Sequence, residues 1–311
     1  MIAPIALFQE PGGARPGHVC ICICTYQRPL LLRRLLETLE LQQPGDAFTF
    51  SIVVADNDAR RSAEDVVSAF ASRSAIKVVY CCEPRRNIAL ARNQAIEQAD
   101  GEFIAFIDDD EFPADDWLRK LLQACEDYQS AGVLGPVRPH FDQPPPRWIV
   151  RGRFCERPEP PTGTVMHWTK SRTGNVLFRR AILEGMAEAF RPEFGTGGED
   201  QDFFMRTTRS GHVFVWCNEA VAYETVPPSR WTRRYMLKRA LLRGNIVLKH
   251  QAGRKVLVAK SLAALPAYSL ILPVALLCGQ HVFMKYGIKF CDHLGRLLAL
   301  CGLNPVNERQ M

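Results

Sequence analysis

Residues 103–111, FIAFIDDDE, place Asp108, Asp109, Asp110 and Glu111 directly after an apolar run of strand length. A run of this kind reads as a buried strand, so its end delivers the carboxylates to the edge of a sheet. They cannot share a dry core, because one unpaired buried carboxylate is costly and neighbouring ones repel. The cluster calls for a cation. Hard oxygen ligands suit Mg²⁺ or Mn²⁺, and Mg²⁺ is usually held by one or two carboxylates together with substrate phosphates. The plainer reading is a solvated acidic turn that caps the helix starting near Asp115. The strand fixes where the acids point, which favours a metal-phosphate site.

The chain before this run alternates strand and helix. VCICIC (19–24) reads as a first strand, followed by Thr25-Tyr26-Gln27-Arg28-Pro29 and an apolar pattern of helical spacing in LLLRRLLETLEL. The loop lies at the carboxyl end of that strand, where open α/β sheets bind ligands and where Arg28 can meet a phosphate. A lone loop arginine is equally at home in water. TFSIVVA (49–55) reads as a second strand ending in Asp56-Asn57-Asp58. A carboxylate there suits a ribose or a base edge, and it also suits an Asx turn that caps the next helix. IKVVYC (76–81) and IALARNQAIEQA form the next strand and helix, with Arg92 and Asn93 a turn beyond Asn87. Continued through residue 137, this alternation predicts an α/β fold with a mostly parallel sheet and helices on both faces. The sequence has no GxGxxG or GxxxxGK[ST] loop, so phosphate charge falls to the metal and to basic residues.

The pattern then breaks. Residues 139–161 contain QPPPRW and RPEPP and read as an irregular crossover rather than a helix. Trp148, His167 and Trp168 in or beside it suit a sugar ring or the core equally. TGNVLFRRAIL (173–183) reads as a short strand or turn leading into a helix. A second acidic cluster follows two glycines in GGEDQDFF (197–204), with Glu199, Asp200 and Asp202 at the start of a helix running to about Ser210. Carboxylates are favourable there on dipole grounds alone. Two separate clusters also suggest a division of labour, one holding the metal beside a leaving group and the other supplying a base.

With 311 residues, 47% of them hydrophobic, the chain is long enough for one large α/β domain and an appendage. The net charge of +6 is unevenly spread, since no acidic residue falls between Thr225 and Cys291 while arginines and lysines crowd 230–260. Such a stretch suits an anionic membrane or a phosphorylated substrate. The nearby aromatic residues form no base-stacking pattern, which argues against nucleic acid. The 11 cysteines lack metal-knuckle spacing and read as core thiols of a reducing compartment. Residues 1–17 read as a loose tail rather than a signal peptide.

Taken together, CTYQRP, VVADND, NIALARNQAI, FIAFIDDDE, TGNVLFRR and GGEDQDFF resemble, in order and spacing, the family 2 inverting glycosyltransferases of the GT-A nucleotide-diphospho-sugar transferase fold. Within that family the likeness is to bacterial exopolysaccharide glucosyltransferases of the succinoglycan kind. It covers roughly residues 18–250, which would form the catalytic domain. The resemblance implies a hexosyltransferase that moves a hexose, glucose by likeness, from a UDP-sugar donor to a lipid-linked saccharide acceptor. Thr25, Tyr26, Arg28, Asp56 and Arg92 would line the nucleotide site, with Asp56 toward the uracil. Asp108 and Asp110 match the ends of a DxD element, Asp110 toward the metal and Asp108 toward ribose or metal, with Asp109 between them on the nucleotide side. Asp200 matches the catalytic base and Glu199 would lie beside the acceptor. Many relatives carry a histidine where this chain has Tyr223, which leaves Glu224 as a substitute acidic ligand. A metal-dependent nucleotidyltransferase is the alternative enzyme, although its glycine- and lysine-rich phosphate loop is missing. A catalytically silent membrane scaffold is the non-enzymatic one.

Residues 251–311 read as a membrane-associated helical region. SLAALPAYSLILPVALLCGQHVFM (261–284) is long enough to cross a bilayer and is interrupted by Pro266 and Pro273. Basic residues flank it on both sides, so charge does not choose an orientation. A re-entrant hairpin or an interfacial pair of helices keeps both flanks on the cytoplasmic face of a bacterial inner membrane, with 288–303 as a surface helix. A single span is the alternative.

Overall fold

A computed structural model of the protein describes residues 17–45, 48–195, 197–250 and 254–303, with the side chains of 245–250 and 254–255 outside that description. Residues 1–16 of the expected N-terminal tail lie outside the described residues, and Gly17 already belongs to the first strand. In chain order, β1 (Gly17–Thr25) leads to α1 (Pro29–Leu39), β2 (Phe48–Asp56) to α2 (Glu64–Ala71), and β3 (Val78–Cys82) to α3 (Ile88–Gln98). The acid-bearing β4 (Phe103–Ile107) is followed by a short β5 (Glu111–Pro113) and α4 (Trp117–Asp127). Next come β6 (Gly132–Leu134), β7 (Val137–His140), α5 (Arg147–Gly152), β8 (Asn175–Arg179), α6 (Glu199–Arg209), β9 (Phe214–Trp216) and β10 (Ala222–Thr225). Three helices close the described chain: α7 (Arg233–His250), α8 (Arg254–Leu277) and α9 (Gln280–Leu300).

The main sheet has the order β3-β2-β1-β4-β8-β6-β9. Its strands are parallel except β8, which runs antiparallel between β4 and β6. The sheet is thus mixed but mostly parallel, as the strand–helix alternation predicts, and helices flank it. Alternation along β1 builds both faces: Val19, Ile21 and Ile23 pack with the leucines of α1, while Cys20 and Cys22 pack with the alanines of α3. The thiols fit there because the opposing helix face is made of Ala89, Ala91 and Ala95, whose small side chains let the backbone come close. All 11 cysteines are free.

A second sheet, β5-β10-β7, sits at the mouth of the first, with Glu224 opposite Glu111 in the register. Asn175 at the start of β8 fastens the two together. Its side-chain oxygen accepts from the Trp117 indole at 2.8 Å, and its amide donates to the Pro136 and Ala220 carbonyls at 2.9 and 2.8 Å.

Three local expectations change. The proline-rich stretch contains α5, because Pro146 precedes the helix and so marks its start rather than breaking it. The segment after β8 makes only a 3₁₀ turn, Arg180–Leu183. Residues 261–284 are also not interrupted at their prolines. α8 runs through Pro266 and Pro273, turns at Cys278-Gly279, and is followed by the antiparallel α9, which begins well before residue 288. Ser261 bonds His293, and Tyr268 meets the Tyr286 ring, as antiparallel neighbours must. On its other side α9 packs on α7 so closely that a Cβ at Gly295 would overlap the Leu241 carbonyl.

Asn175→Ala is expected to cost about 2–4 kcal/mol, because it strands a buried indole N–H and two buried carbonyls. Urea unfolding checks this, and a midpoint equal to that of the parent would contradict it.

Candidate active site

The carboxyl ends of β1 and β4, the start of α3, the turn before α6 and the second sheet converge on one open cleft of about 590 Å³. Thr25, Tyr26, Arg28, Arg92, Asp108, Asp109, Asp110, Glu199 and Glu224 all line it. Two glycines in the left-handed region, Gly197 and Gly198 at φ 130° and 97°, make the sharp entry that starts α6 at Glu199. On the same helix Phe203 packs tilted against Phe190 and Phe204 packs edge-on against Phe214, at ring separations of 4.9 and 5.0 Å. The helix start is thereby pinned to the sheet.

Arg92 joins the two acidic clusters. Its guanidinium is buried, pairs closely with Glu199, and lies 3.8 Å from Asp108. Burial works against its charge, yet Glu199 and Asp108 more than offset that and hold it firmly protonated. Glu199 is pushed upward by burial despite Arg92, and its second oxygen has no hydrogen-bond partner among the described residues. Asp200, next along, is less buried than Glu199. Its carboxylate accepts from the Gln201 N–H at 2.7 Å and lies 3.9 Å from Arg172, beside the lining rather than in it.

The aspartate run is met by arginines. Arg28 donates to Asp109 at 2.9 Å and Asp110 at 3.2 Å, and Thr25 donates to Asp109 at 2.8 Å. Arg230 bridges Asp110 and Glu224, at 3.0 and 2.6 Å, and Arg157 reaches the other oxygen of Glu224 at 2.8 Å. Although about half of its side-chain surface opens onto the cleft, the protein crowded around Asp108, followed by the charges of Asp110 and Asp109, pushes its carboxyl up to about 7 against the pull of Arg92. Glu111 is buried beneath the cluster and is driven well upward by desolvation and then by Asp108.

These residues suit a divalent cation that arrives with a diphosphate. Among the described residues no three acidic, histidine or cysteine side chains gather into a ligand cage. Asp110, on which two guanidiniums already converge, and the half-exposed Asp108 are the carboxylates that could hold Mg²⁺ or Mn²⁺ beside phosphate oxygens. Glu224 spends both oxygens on Arg230 and Arg157.

Asp56 is placed differently from the other candidates. It is fully buried at the end of β2, and its oxygens accept from the Asp58 and Ala63 N–H groups and the Tyr80 hydroxyl. The lining on that side comes from Asn57, Arg86, Asn87 and Tyr26, with the Arg86 guanidinium 4.5 Å above the Tyr26 ring. Arg157 also reaches the cleft without a sequence motif having marked it, and Tyr235 and Arg239 reach it from the basic segment that follows Arg230.

Since folding raises the Asp108 pKa, ionising it costs stability, a cost absent below about pH 4 and complete above about pH 7. Metal-free Asp108→Asn is therefore expected to gain stability relative to the parent as pH rises across that window. Paired thermal melts check this, and a pH-independent difference would contradict it.

Comparisons with known proteins identify the family and the fold. The model of the family described as glycosyl transferase family 2 matches residues 20–186. The chain is 31% identical to the succinoglycan biosynthesis protein ExoM of Rhizobium meliloti (strain 1021), over 94% of this chain and 95% of that one. Among solved structures, the mannosyltransferase PcManGT from Pyrobaculum calidifontis in complex with GDP-Man and Mn²⁺ superposes with a TM-score of 0.61 at 20% identity, covering 95% of this chain and 90% of that one. S. aureus TarS 1–349 in complex with UDP-GlcNAc gives 0.52 at 16%, covering 92% and 93%. These two likenesses support the GT-A fold. By family match and by its similarity to a succinoglycan biosynthesis protein along nearly the whole chain, the protein belongs to glycosyl transferase family 2 and is a glycosyltransferase.

Proposed function

We propose that the enzyme transfers a hexose, glucose by resemblance, from a UDP-sugar to a lipid-linked saccharide in bacterial exopolysaccharide synthesis, with inversion at the anomeric carbon. The observation that carries this reading is the meeting of two acidic elements, remote in sequence, across Arg92 in one cleft. The volume of about 590 Å³ falls within the roughly 300–1,000 Å³ typical of sites that enclose a small ligand. UDP-GlcNAc and GDP-Man, each bound by a protein of this fold, make a nucleotide-sugar the natural donor class.

In this reading Tyr26 and Thr25 border the nucleotide, and Asp56 shapes the rim by holding the 58–63 turn. Asp108 and Asp110 hold Mg²⁺ or Mn²⁺, which supplies positive charge to the departing diphosphate. Arg28 and Arg230, now on Asp109 and Asp110, are within reach of the same anion. Glu199 is tied to Arg92 and so positions the acceptor side, leaving Asp200 to take the proton of the attacking hydroxyl. Attack from the face opposite the diphosphate is a single displacement and inverts the configuration. Charge grows on the leaving group as the bond breaks, so the arginines contribute most in the transition state.

The domain reading is a catalytic unit over 18–250 with a membrane-associated unit over 251–311. Val256–Leu277 is one helix long and apolar enough to cross a membrane, at mean hydropathy 1.6 and with only 6% of its apolar window buried. Leu270 and Leu277 stand 78% and 87% exposed. We infer that this face docks on the cytoplasmic side of the inner membrane, where a lipid-linked acceptor is presented.

Asp200→Asn is expected to lower turnover by roughly 10²–10⁴-fold while UDP binds within about two-fold of the parent. Release of UDP from UDP-glucose, UDP-galactose and other donors, with and without Mn²⁺, measures this. Unchanged turnover in the variant would remove Asp200 from the mechanism, and no UDP release from any donor would remove the proposed donor class.

A further inference from the structure

A smaller chamber of about 230 Å³ opens off the cleft between residues 154–157, α7 and α9. It shares Arg157, Glu224, Arg230, Tyr235 and Arg239 with the cleft, and its remaining wall joins an apolar part, Phe154, Met236 and Ile288, to two charged residues that are paired elsewhere, Glu156 with Arg153 and Arg243 with Asp292. The volume is below the roughly 300–1,000 Å³ that encloses a whole ligand, so the chamber takes part of one and the cleft takes the rest. The apolar Phe154, Met236 and Ile288 beside the arginines fit a junction between a charged group and a hydrocarbon. Ile288 lies on α9, and α9 packs on α8, the helix whose apolar face is exposed.

The charges at this junction are unequal. Arg157 and Arg230 are engaged by Glu224, and Arg243 clamps Asp292 with hydrogen bonds of 2.9 and 2.7 Å. Arg239 lines both spaces and makes no hydrogen bond or ion pair among the described residues. It stands on a helix that carries no acidic residue, so nothing on α7 itself offsets its charge. A guanidinium presents a fork of donors that matches phosphate oxygens.

We propose that this chamber receives the phosphate-bearing end of the acceptor's lipid anchor, with Arg239 as the phosphate-binding cation and the apolar part of the wall holding the first carbons of the hydrocarbon. The saccharide then extends into the cleft, and the rest of the hydrocarbon leaves toward the apolar face of α8. This rests on the reading of the enzyme as a membrane-docked transferase with a lipid-linked acceptor. The donor's diphosphate offers the same phosphate chemistry, so the test must separate the two sources.

The full chain in detergent micelles is titrated with farnesyl diphosphate, inorganic diphosphate and UDP, for the parent, Arg239→Ala, Arg239→Lys and Phe154→Ser. Arg239→Ala is expected to weaken farnesyl diphosphate by about tenfold or more and UDP by no more than about two-fold, with partial recovery in Arg239→Lys. Phe154→Ser is expected to weaken farnesyl diphosphate but not inorganic diphosphate. Farnesyl diphosphate and UDP should bind the parent together. The proposal is overturned if Arg239→Ala weakens UDP as much as farnesyl diphosphate, if it weakens neither, or if the two ligands displace one another. Failure of the parent to bind UDP would instead sink the transferase reading, and the chamber would still be judged on farnesyl diphosphate alone.

Discussion

The architecture of the site depends on one buried guanidinium. Burying a charge is tolerable only when it is paired, and Arg92 is paired on two sides by carboxylates from distant elements, Glu199 at the head of α6 and Asp108 at the end of β4. Removing Arg92 leaves two facing carboxylates without a counter-charge, and removing Glu199 leaves the guanidinium only the more distant Asp108 as partner. The arrangement therefore fixes where α6 begins relative to the sheet, and with it the position of Asp200. The aromatic packing behind Glu199 and the two left-handed glycines before it serve the same placement from the apolar and backbone sides.

A second constraint comes from the reversal of β8. An antiparallel strand beside β4 brings Asn175 under the aspartates, where it bonds α4 and the chain on either side of the small sheet. That sheet sets Glu224 opposite Glu111 and carries the chain onward to Arg230. The cleft thus collects more acids than a protein would tolerate without cations, and arginines from four separate segments supply them. A metal and a diphosphate entering together bring one positive and one negative partner, so they can take over these contacts without leaving net charge exposed.

Much of this was legible in the chain itself. The end of β4 could be read because an apolar run stops abruptly at acids, and the head of α6 because glycines precede acids. Both signals are local. Arg157 was not legible because nothing in a proline-rich stretch says which side chain will face a cleft, and the basic segment after Arg230 does not say which of its arginines, Arg239 among them, will do so. Asp56 shows the limit most clearly. Its neighbours fit a ligand contact or a turn equally, and part of its hydrogen bonding comes from the Tyr80 hydroxyl on the next strand, 3.1 Å away, which local pattern cannot reveal. α5 was hidden by reading Pro146 as a breaker when it stands at a helix start. The prolines of α8 misled in the opposite direction, since a helix with few buried neighbours accommodates them without ending.

The carboxylates of the two acidic elements, Asp108 and Glu199, form one site through Arg92. A double-mutant cycle on kcat/KM with Arg92→Met, Glu199→Gln and the double variant tests this most directly. A coupling energy above about 1 kcal/mol is expected, because the second substitution has little left to disrupt once the first is made. Effects that simply add would mean that the two clusters act independently, contradicting the account.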